Sequence, residues 1–350
     1  MIELRALLLP DDYEAIAALL NQVGAEPTSA EKLLEEDGKL YEKGHTWIDE
    51  NGRLAGYDRE RRVAVTEAGE IIGFAISWRA PWTEPGHLCN TLVVDSRYRG
   101  QGIGDLLLAH VAQWASKSGA SRMLSEAWDD DPAAVAFAER KGFSIDRHTF
   151  QSLLQLEGAD LPPAALQLPE SLEGEGIRFL TLADESGEDS ETKLYELYRE
   201  TLVDIPGFLG DVPNQTEWRK WYLQVHGYAP EQVIIAAEGD RFAGVTNVLY
   251  HPVTNGMYHE YTGVSRDFRG RKVALGLKIQ AIRMAIARGA AYLRTDNDSM
   301  NEPILSINRK LGYVPLRGHY RLHADLDQVL ASVRGRVENT EAGPTTAGLG

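Results

Sequence analysis

Residues 87–119 read HLCNTLVVDSRYRGQGIGDLLLAHVAQWASKSG, and residues 257–289 read MYHEYTGVSRDFRGRKVALGLKIQAIRMAIARG. When the two stretches are aligned, they and the segments after them match at a constant spacing of 170 residues: Arg99-Gly100 with Arg269-Gly270, Gly119-Ala120 with Gly289-Ala290, and Gly142-Phe143 with Gly312-Tyr313. No insertion or deletion is needed between Val94 and Arg147. Such self-similarity predicts a chain built from two copies of one structural unit.

Each stretch has the pattern of a buried strand, a Gly-rich turn and an amphipathic helix. A helix N-terminus exposes unpaired N–H groups with partial positive charge, and the glycines at 100, 102 and 104 let a ligand approach the backbone. The turn lacks the Gly-Lys-Ser/Thr of a P-loop, and no acidic ribose-binding residue of a dinucleotide site is evident downstream. The pattern therefore predicts a phosphate site of another kind, formed mainly by the backbone.

The flanking sequence predicts the rest of the unit. Residues 12–23 have helical periodicity, 121–128 and 143–156 have the character of strands, and Asp131-Pro132 is typical of a helix start. The second copy follows the same order. We expect a mixed α/β fold in which each copy forms a central mixed sheet flanked by helices.

The copies are separated by a segment rich in proline, glycine and acidic residues. This composition is typical of a connection between domains. We predict an N-terminal domain over residues 1–157, a linker over 158–175, a C-terminal domain over 176–335 and a loose tail over 336–350.

The composition narrows the class of protein. The 350 residues are 43% apolar and 25% charged, with a formal charge of -16, which disfavours binding to nucleic acid or anionic lipid. Cys89 is the only cysteine, so an internal disulfide and a cysteine-rich zinc site are excluded. The first residues, MIELRALLLPDD, lack a basic leader with a long apolar run. We predict a cytoplasmic monomer or homodimer without a metal and without a nucleic-acid or membrane partner.

The motif Val94-x4-Arg99-x2-Gly102-x-Gly104, followed by a helix that ends at Gly142-Phe143, resembles the signature of the GNAT acyltransferases. The resemblance implies two tandem GNAT domains that use acetyl-CoA, with its pyrophosphate on the turn and its pantetheine arm along the preceding strand. A backbone N–H near Val94 or Val264 would polarise the thioester carbonyl. The implied cofactor-binding residues are Val94, Arg99, Gly100, Gln101, Gly102, Ile103 and Gly104 in the first copy, and Val264, Arg269, Gly270, Arg271, Lys272, Val273, Ala274, Asn301 and Asn308 in the second.

A general base is expected on the strand that holds the pantetheine, because it must face the cleft. Tyr258, His259 and Glu260 occupy that strand in the second copy, and strand alternation puts Tyr258 and Glu260 on the face opposite His259. We take Glu260 as the first choice; the alternative is an ordinary carboxylate at the end of a strand. The first copy offers His87 and Asn90.

The sequence departs from the family pattern at two kinds of position. Many GNAT enzymes have a tyrosine four residues before the glycine that ends the last helix, where this chain has Ala138 and Asn308. Lys272 also replaces the glycine found as Gly102. Its ammonium could meet a phosphate, or its bulk could obstruct the backbone.

These observations favour an acetyl-CoA-dependent N-acetyltransferase. It would acetylate a small-molecule amine by direct attack in a ternary complex, and its catalytic centre would lie in the second copy. The alternatives are a non-catalytic acyl-CoA-binding or interaction protein built from degenerate GNAT domains, and a protein or peptide acetyltransferase.

Overall fold

The computed structural model describes residues 2–159 and 161–341, which form two compact units. Unit 1 runs to Asp146 and resumes at Tyr320, and unit 2 comprises Arg147–His319. None of the described helices is both long and apolar enough to cross a lipid bilayer.

The first sequence copy forms seven strands and four helices among the described residues. They are β1 (Glu3–Arg5), α1 (Tyr13–Leu20), α2 (Ala30–Gly38), β2 (His45–Ile48), β3 (Leu54–Val65), β4 (Ile71–Arg79), β5 (His87–Val94), α3 (Ile103–Ser118), β6 (Arg122–Trp128), α4 (Pro132–Arg140) and β7 (Ser144–Gln155).

The remaining elements follow the same plan, with additional short helices before the second copy. They are α5 (Pro163–Leu166), α6 (Leu168–Gly174), β8 (Ile177–Thr181), α7 (Glu188–Leu202), α8 (Gln215–Trp218), β9 (Val233–Glu238), β10 (Arg241–His251), β11 (Gly256–Val264), α9 (Val273–Arg288), β12 (Tyr292–Asp298), α10 (Glu302–Lys310), β13 (Val314–Asp325) and α11 (Leu326–Glu341). A π-helical turn over Arg219–Leu223 extends α8.

In unit 1 the strand order is β1-β3-β4-β5-β6, and the end of β13 follows β6. Strands β5 and β6 are parallel and are connected through α3. Helix α3 buries Ile103, Leu107 and Val111 in the core beneath the sheet. This crossover places the N-terminus of α3 at the carboxyl end of β5, where ligands bind in sheets of this type.

In unit 2 the strand order is β8-β9-β10-β11-β12-β7. Strands β11 and β12 are parallel, and α9 connects them and packs against the sheet through residues such as Val273 and Leu277. The last strand, β7, belongs to the first sequence copy and is antiparallel to β12. The predicted mixed α/β fold, with helices flanking each sheet, is confirmed.

The closing strands of the two copies are exchanged. Strand β7 crosses from unit 1 to unit 2 after Asp146, and β13 returns to unit 1 after His319. The compact units therefore differ from the predicted spans 1–157 and 176–335. The order of strands along a chain does not specify which sheet a closing strand such as β7 or β13 joins. Those spans remain a prediction of where the repeats lie.

The predicted linker, residues 158–175, contains helices α5 and α6. Leu161 and Leu172 in this segment are buried in the core of unit 2. A Cβ at Gly276 of α9 would lie 2.8 Å from Leu172 Cδ1, so glycine permits this close approach. The tail predicted to begin at residue 336 overlaps the end of α11, and residues 342–350 lie outside the described residues.

Candidate active site

The turn between β5 and α3 has the geometry expected of a backbone anion site. Gly100 and Gly102 have φ values of 78° and 80°, a region that favours glycine. A Cβ on Gly100 would meet nothing within 4 Å, so the backbone conformation rather than packing calls for glycine there. Arg99 Nε donates to the Val94 carbonyl at 3.3 Å. Among the described residues no side chain caps α3, so its first N–H groups are available to an anion.

The other predicted residues of this turn have structural roles or are exposed. Ile103 is buried and anchors the helix in the core. A Cβ on Gly104 would lie 3.2 Å from Phe137 Cζ, so glycine lets α3 and α4 approach closely. Gln101 is exposed.

The turn between β11 and α9 repeats this geometry. Gly270 has a φ of 80°, and Lys272, the N-cap of α9, has φ 64° and ψ 15° against φ 80° and ψ 5° at Gly102. Arg269 Nε donates to the Val264 carbonyl at 3.1 Å, as Arg99 does to Val94. The exposed lysine therefore keeps the backbone conformation of the turn, although a residue with a Cβ is strained there. Val273 is buried and Ala274 half-buried in the first turn of α9.

The predicted phosphate-side arginines are ion-paired on the protein surface. Arg99 lies 3.1 Å from Asp131, Arg269 lies 2.6 Å from Asp204, and Arg271 lies 2.9 Å from Glu238. Surface pairs of this kind contribute little stability, so a phosphate could replace the carboxylates at small cost.

Substitution of Lys272 separates backbone strain from charge. Lys272→Gly is expected to raise the free energy of unfolding by about 1 kcal/mol, because glycine adopts this conformation without strain. Lys272→Gln is expected to leave stability unchanged, since its Cβ remains. Both variants are expected to bind acetyl-CoA about fivefold more weakly if the ammonium meets a phosphate. Urea denaturation and calorimetry measure the two effects; equal stability of both variants would contradict the strain argument.

A cleft opens where β11 and β12 separate. Their parallel pairing ends at His259 and Thr295, after which β11 stays paired with β10 and β12 with β7. The next residues on the two strands, Glu260 and Asp296, therefore lie at the start of the divergence. This divergence points towards the turn at the N-terminus of α9.

Glu260 is the extra residue of a β-bulge. In the pairing of β10 with β11, Asn247 is opposite Tyr261 and Val248 is opposite His259, so Glu260 has no partner. Bulges bend a strand and redirect a side chain, and they are frequent beside active sites. The bulge also changes the residue offset between equivalent positions of the two copies. Leu88 pairs with Met123 in unit 1, and Met257 pairs with Leu293 in unit 2, so Met257 is the equivalent of Leu88. Before the bulge the copies are thus 169 rather than 170 residues apart, and Glu260 has no equivalent in unit 1.

Glu260 lies near two other polar groups that could serve a reaction. Burial, and then the negative charge of Asp296, raises the pKa of Glu260 above its ordinary value. Tyr258 donates a hydrogen bond to Asp296 Oδ2 at 2.9 Å. Asp296, which the sequence reasoning did not select, is thus bonded to Tyr258 and lies close enough to Glu260 for its charge to affect that carboxyl.

Aromatic side chains lie near these carboxylates. The Tyr198 ring centroid lies 4.7 Å from that of Tyr222 and 5.0 Å from that of Tyr261. The negative charge of Glu260 contributes to raised pKa values at Tyr198 and Tyr222, after the larger effect of burial, which indicates that it lies close to them. The sequence reasoning missed this cluster; the run Trp218-Arg219-Lys220-Trp221-Tyr222 was the available signal. Within the described residues no group of three or more His, Cys, Asp or Glu side chains is arranged to hold a metal ion.

The side chains of His259 and Glu260 lie among different residues, although the two are adjacent in sequence. The His259 side chain is 3% exposed. Its Nδ1 lies 3.3 Å from Thr246 Oγ1, and its Nε2 lies 3.0 Å from the Tyr313 hydroxyl. Burial, and then the positive charge of Lys278, lowers the pKa of His259 well below its ordinary value. A role for His259 as the base beside the acceptor therefore does not fit this geometry.

Asn308 occupies the position of the missing tyrosine and has an unsatisfied acceptor. It is 2% exposed, and its Nδ2 donates to Asn297 Oδ1 at 2.6 Å. Asn297 in turn donates to Ser152 Oγ at 2.9 Å. Asn308 Oδ1 has no hydrogen-bond partner within the described residues, and a ligand amide N–H would satisfy it. Asn301 is the N-cap of α10, and no side-chain bond to the helix is made by it within the described range.

Removal of this acceptor tests its use by the cofactor. Asn308→Ala is expected to raise the dissociation constant for acetyl-CoA about tenfold, because one hydrogen bond is lost. Ser152→Ala is the matched control, since it breaks the far end of the same chain and should leave the constant unchanged. Calorimetry measures both; an equal loss of affinity in the two variants would indicate a structural effect of the network instead.

Residues 26–143 match the model of the acetyltransferase (GNAT) family. The chain contains a GNAT domain. The matched segment includes β5, the Gly-rich turn, α3 and α4 of unit 1.

Relatives and solved structures extend the comparison. A mycothiol acetyltransferase from Rhodococcus opacus (strain B4) is 34% identical over 128 residues, which cover 35% of this chain and 37% of the relative. A streptothricin acetyltransferase from Streptomyces lavendulae is 27% identical over 126 residues, which cover 36% of this chain and 62% of the relative. The matched part therefore spans less than two thirds of either relative.

Several solved structures match nearly the whole chain, and two of them illustrate the likeness. A tandem GNAT protein from the clavulanic acid biosynthesis pathway superposes with a TM-score of 0.70 at 17% identity, covering 93% of this chain and 99% of that one. A GCN5-related N-acetyltransferase from Sphaerobacter thermophilus gives 0.68 at 22% identity, covering 93% and 96%. The described part of the chain thus has the fold of tandem GNAT proteins.

Hydrogen bonds cross the start of the divergence between β5 and β6 in unit 1. Pairing of β5 with β6 ends at Cys89 and Leu124, and Asn90 Nδ2 donates across the divergence to the Leu124 carbonyl at 3.0 Å. Ser125 Oγ donates back to the Asn90 carbonyl at 3.2 Å. His87 Nδ1 lies 3.3 Å from the Pro85 carbonyl. These contacts give His87 and Asn90 partners within unit 1, while Asn90 Oδ1 has no hydrogen-bond partner within the described residues.

Proposed function

We propose that the protein is an acetyl-CoA-dependent N-acetyltransferase with its catalytic centre in unit 2 and a small-molecule amine as acceptor. The observation that carries the proposal is Glu260, a bulge carboxylate with a raised pKa at the start of the β11–β12 divergence. A base with a raised pKa takes up a proton more readily at neutral pH than an ordinary glutamate does.

The reaction is direct attack within a ternary complex. Acetyl-CoA supplies a thioester carbonyl. The ammonium group of the acceptor first loses one proton to solvent. The neutral amine then forms the new N–C bond with its lone pair, and Glu260 takes the second proton that the nitrogen releases. Backbone N–H groups near Val264 stabilise the charge that develops on the carbonyl oxygen.

The residues of unit 2 are suited to hold acetyl-CoA. Residues 270–274, which form the turn before α9 and the start of that helix, offer backbone N–H groups to the pyrophosphate, with Lys272 and the arginines beside them. The unpaired Asn308 Oδ1 is suited to an amide N–H of the pantetheine arm.

The surroundings of Glu260 favour a cationic acceptor. Asp296 adds a second carboxylate, and the rings of Tyr198, Tyr222 and Tyr261 offer π faces to an ammonium group. The two matched relatives, named as mycothiol and streptothricin acetyltransferases, support a small-molecule acceptor. The single cysteine suits a reducing compartment, and we place the protein in the cytoplasm.

Thiol release from acetyl-CoA, measured with a panel of small amines and with lysine-containing peptides, tests the proposal. We expect turnover with at least one small amine and none above background with the peptides. Turnover with the peptides alone would indicate a peptide acetyltransferase. Saturable binding of acetyl-CoA without any turnover would indicate a non-catalytic acyl-CoA-binding protein.

A further inference from the structure

A buried lysine lies in the core of unit 2, on the face of β11 opposite Glu260. Lys278 of α9 is 1% exposed, and its ammonium has no hydrogen-bond partner within the described residues. Its Nζ lies 5.0 Å from the centroid of the Tyr313 ring, and the Tyr313 hydroxyl lies 3.0 Å from His259 Nε2. Within the described residues, the titratable groups that contact or interact with Lys278 are His259 on β11 and Tyr313 after α10.

This cluster lies against the apex of the cleft. His259 belongs to the last residue pair before β11 and β12 separate. Lys278 is six residues along α9 from Lys272, about 9 Å at 1.5 Å per residue, and so lies deeper in the unit than the pyrophosphate turn. A pantetheine arm that runs from this turn along β11 would bring its sulfur to the same apex.

The fold itself does not require these polar groups. In unit 1 the positions equivalent to Lys278 and Tyr313 are Leu108 and Phe143, both buried in an apolar core. A buried ammonium without a partner is costly, so its presence in one copy alone calls for a reason beyond packing. The unsatisfied donor of Lys278 and the unsatisfied acceptor of Asn308 both belong to unit 2.

The reaction in unit 2 also lacks an assigned proton donor for the leaving sulfur. Asn308 stands where many GNAT enzymes have a tyrosine, and an amide cannot act as that acid. Burial raises the pKa of Tyr313, so its hydroxyl is a very weak acid. Burial, and then the charge of Lys278, lowers the pKa of His259, so its imidazole is neutral and has no proton to donate as an acid at neutral pH. Burial lowers the pKa of Lys278 to about 7, close enough to that of a thiol for efficient transfer.

We propose that Lys278 donates the proton to the departing thiolate of coenzyme A, an inference that rests on the proposed acetyltransferase function. The carbon–sulfur bond breaks with both electrons on sulfur, and sulfur takes one proton from the Lys278 ammonium to form the thiol. Glu260 holds the proton from the acceptor nitrogen. After product release Glu260 loses this proton to solvent and Lys278 regains one, so the protons balance.

Lys278→Leu, which introduces the residue found at Leu108, tests the proposal. We expect kcat to fall about 10²-fold or more, with the dissociation constant for acetyl-CoA changed less than threefold. In the wild type kcat should decline above about pH 7 as Lys278 loses its proton, and this decline should be absent from the variant. An unchanged kcat and pH profile in the folded variant would overturn the proposal.

A second measurement does not depend on the variant folding. In wild-type protein labelled with ¹³C at lysine Cε, one resonance is expected to titrate near pH 7 and to shift when coenzyme A is added. Absence of such a shift would overturn the proposal. Failure of the proposed function is distinguishable, because in that case the wild type itself would release no thiol with any amine.

Discussion

Glu260→Gln is expected to lower kcat by about 10²- to 10⁴-fold, because the amide cannot accept the proton of the acceptor nitrogen. The glutamine keeps the size of the side chain at the bulge, so binding of acetyl-CoA should be unchanged. The wild-type rate should also fall on the acid side, as Glu260 becomes protonated. Since its pKa is raised, this fall should occur at higher pH than for an ordinary glutamate. Steady-state kinetics from pH 5 to 9 would measure both effects.

Glu196→Gln is the matched control for this substitution. Glu196 is an exposed carboxylate on α7 in the same unit, paired with Arg199 at 3.0 Å. Its replacement should leave kcat and the acid limb unchanged. A Glu260→Gln variant that kept the wild-type rate would remove Glu260 from the mechanism and leave its raised pKa as a consequence of burial alone.

Lys278→Leu is expected to be more stable than the wild type at neutral pH, with a difference that shrinks as the pH rises. Below pH 7 the lysine is protonated in both states, and the folded protein must bury that charge. Between about pH 7 and pH 10.5 the unfolded chain binds a proton that the folded chain does not, so wild-type stability rises through this window. The full difference between the two limits is on the order of 5 kcal/mol.

Urea denaturation of both proteins at pH 6.5 and pH 9.5 measures this effect. The comparison cancels the titration of the shared groups other than His259, whose pKa the charge of Lys278 lowers. A difference in unfolding free energy that is the same at the two pH values would show that Lys278 is not buried as an unpaired ammonium. This outcome concerns stability only and is independent of whether the enzyme turns over.

The local features of the fold could be predicted from the sequence. Gly100, Gly102 and the flanking Arg99 define the turn through backbone conformation, which depends on neighbouring residues alone, and the observed turn agrees with that prediction. The start of α4 follows equally from Asp131 and Pro132, and Asp131 Oδ1 accepts from the Ala134 N–H at 3.0 Å.

Features that depend on pairing between distant segments could not be predicted. The constant 170-residue spacing does not reveal the bulge at Glu260. One extra residue inside a strand gives the same sequence pattern as a strand that begins one residue earlier. Lys278 lies on a helix where a lysine normally indicates a solvated face, and only the packing of α9 shows that it is buried. The partnership of Tyr258 with Asp296 similarly needs the register of β11 with β12.

The exchange of closing strands bears on why a copy without an equivalent of Glu260 persists. Strand β7 is encoded in the first repeat, yet it completes the sheet of unit 2 and supplies Ser152 to the hydrogen-bond chain that ends at Asn308. Loss of the first repeat from the gene would leave β12 with an unpaired edge. Unit 2 therefore depends on a segment of the first repeat for its complete sheet, so the two copies are not independent folding units.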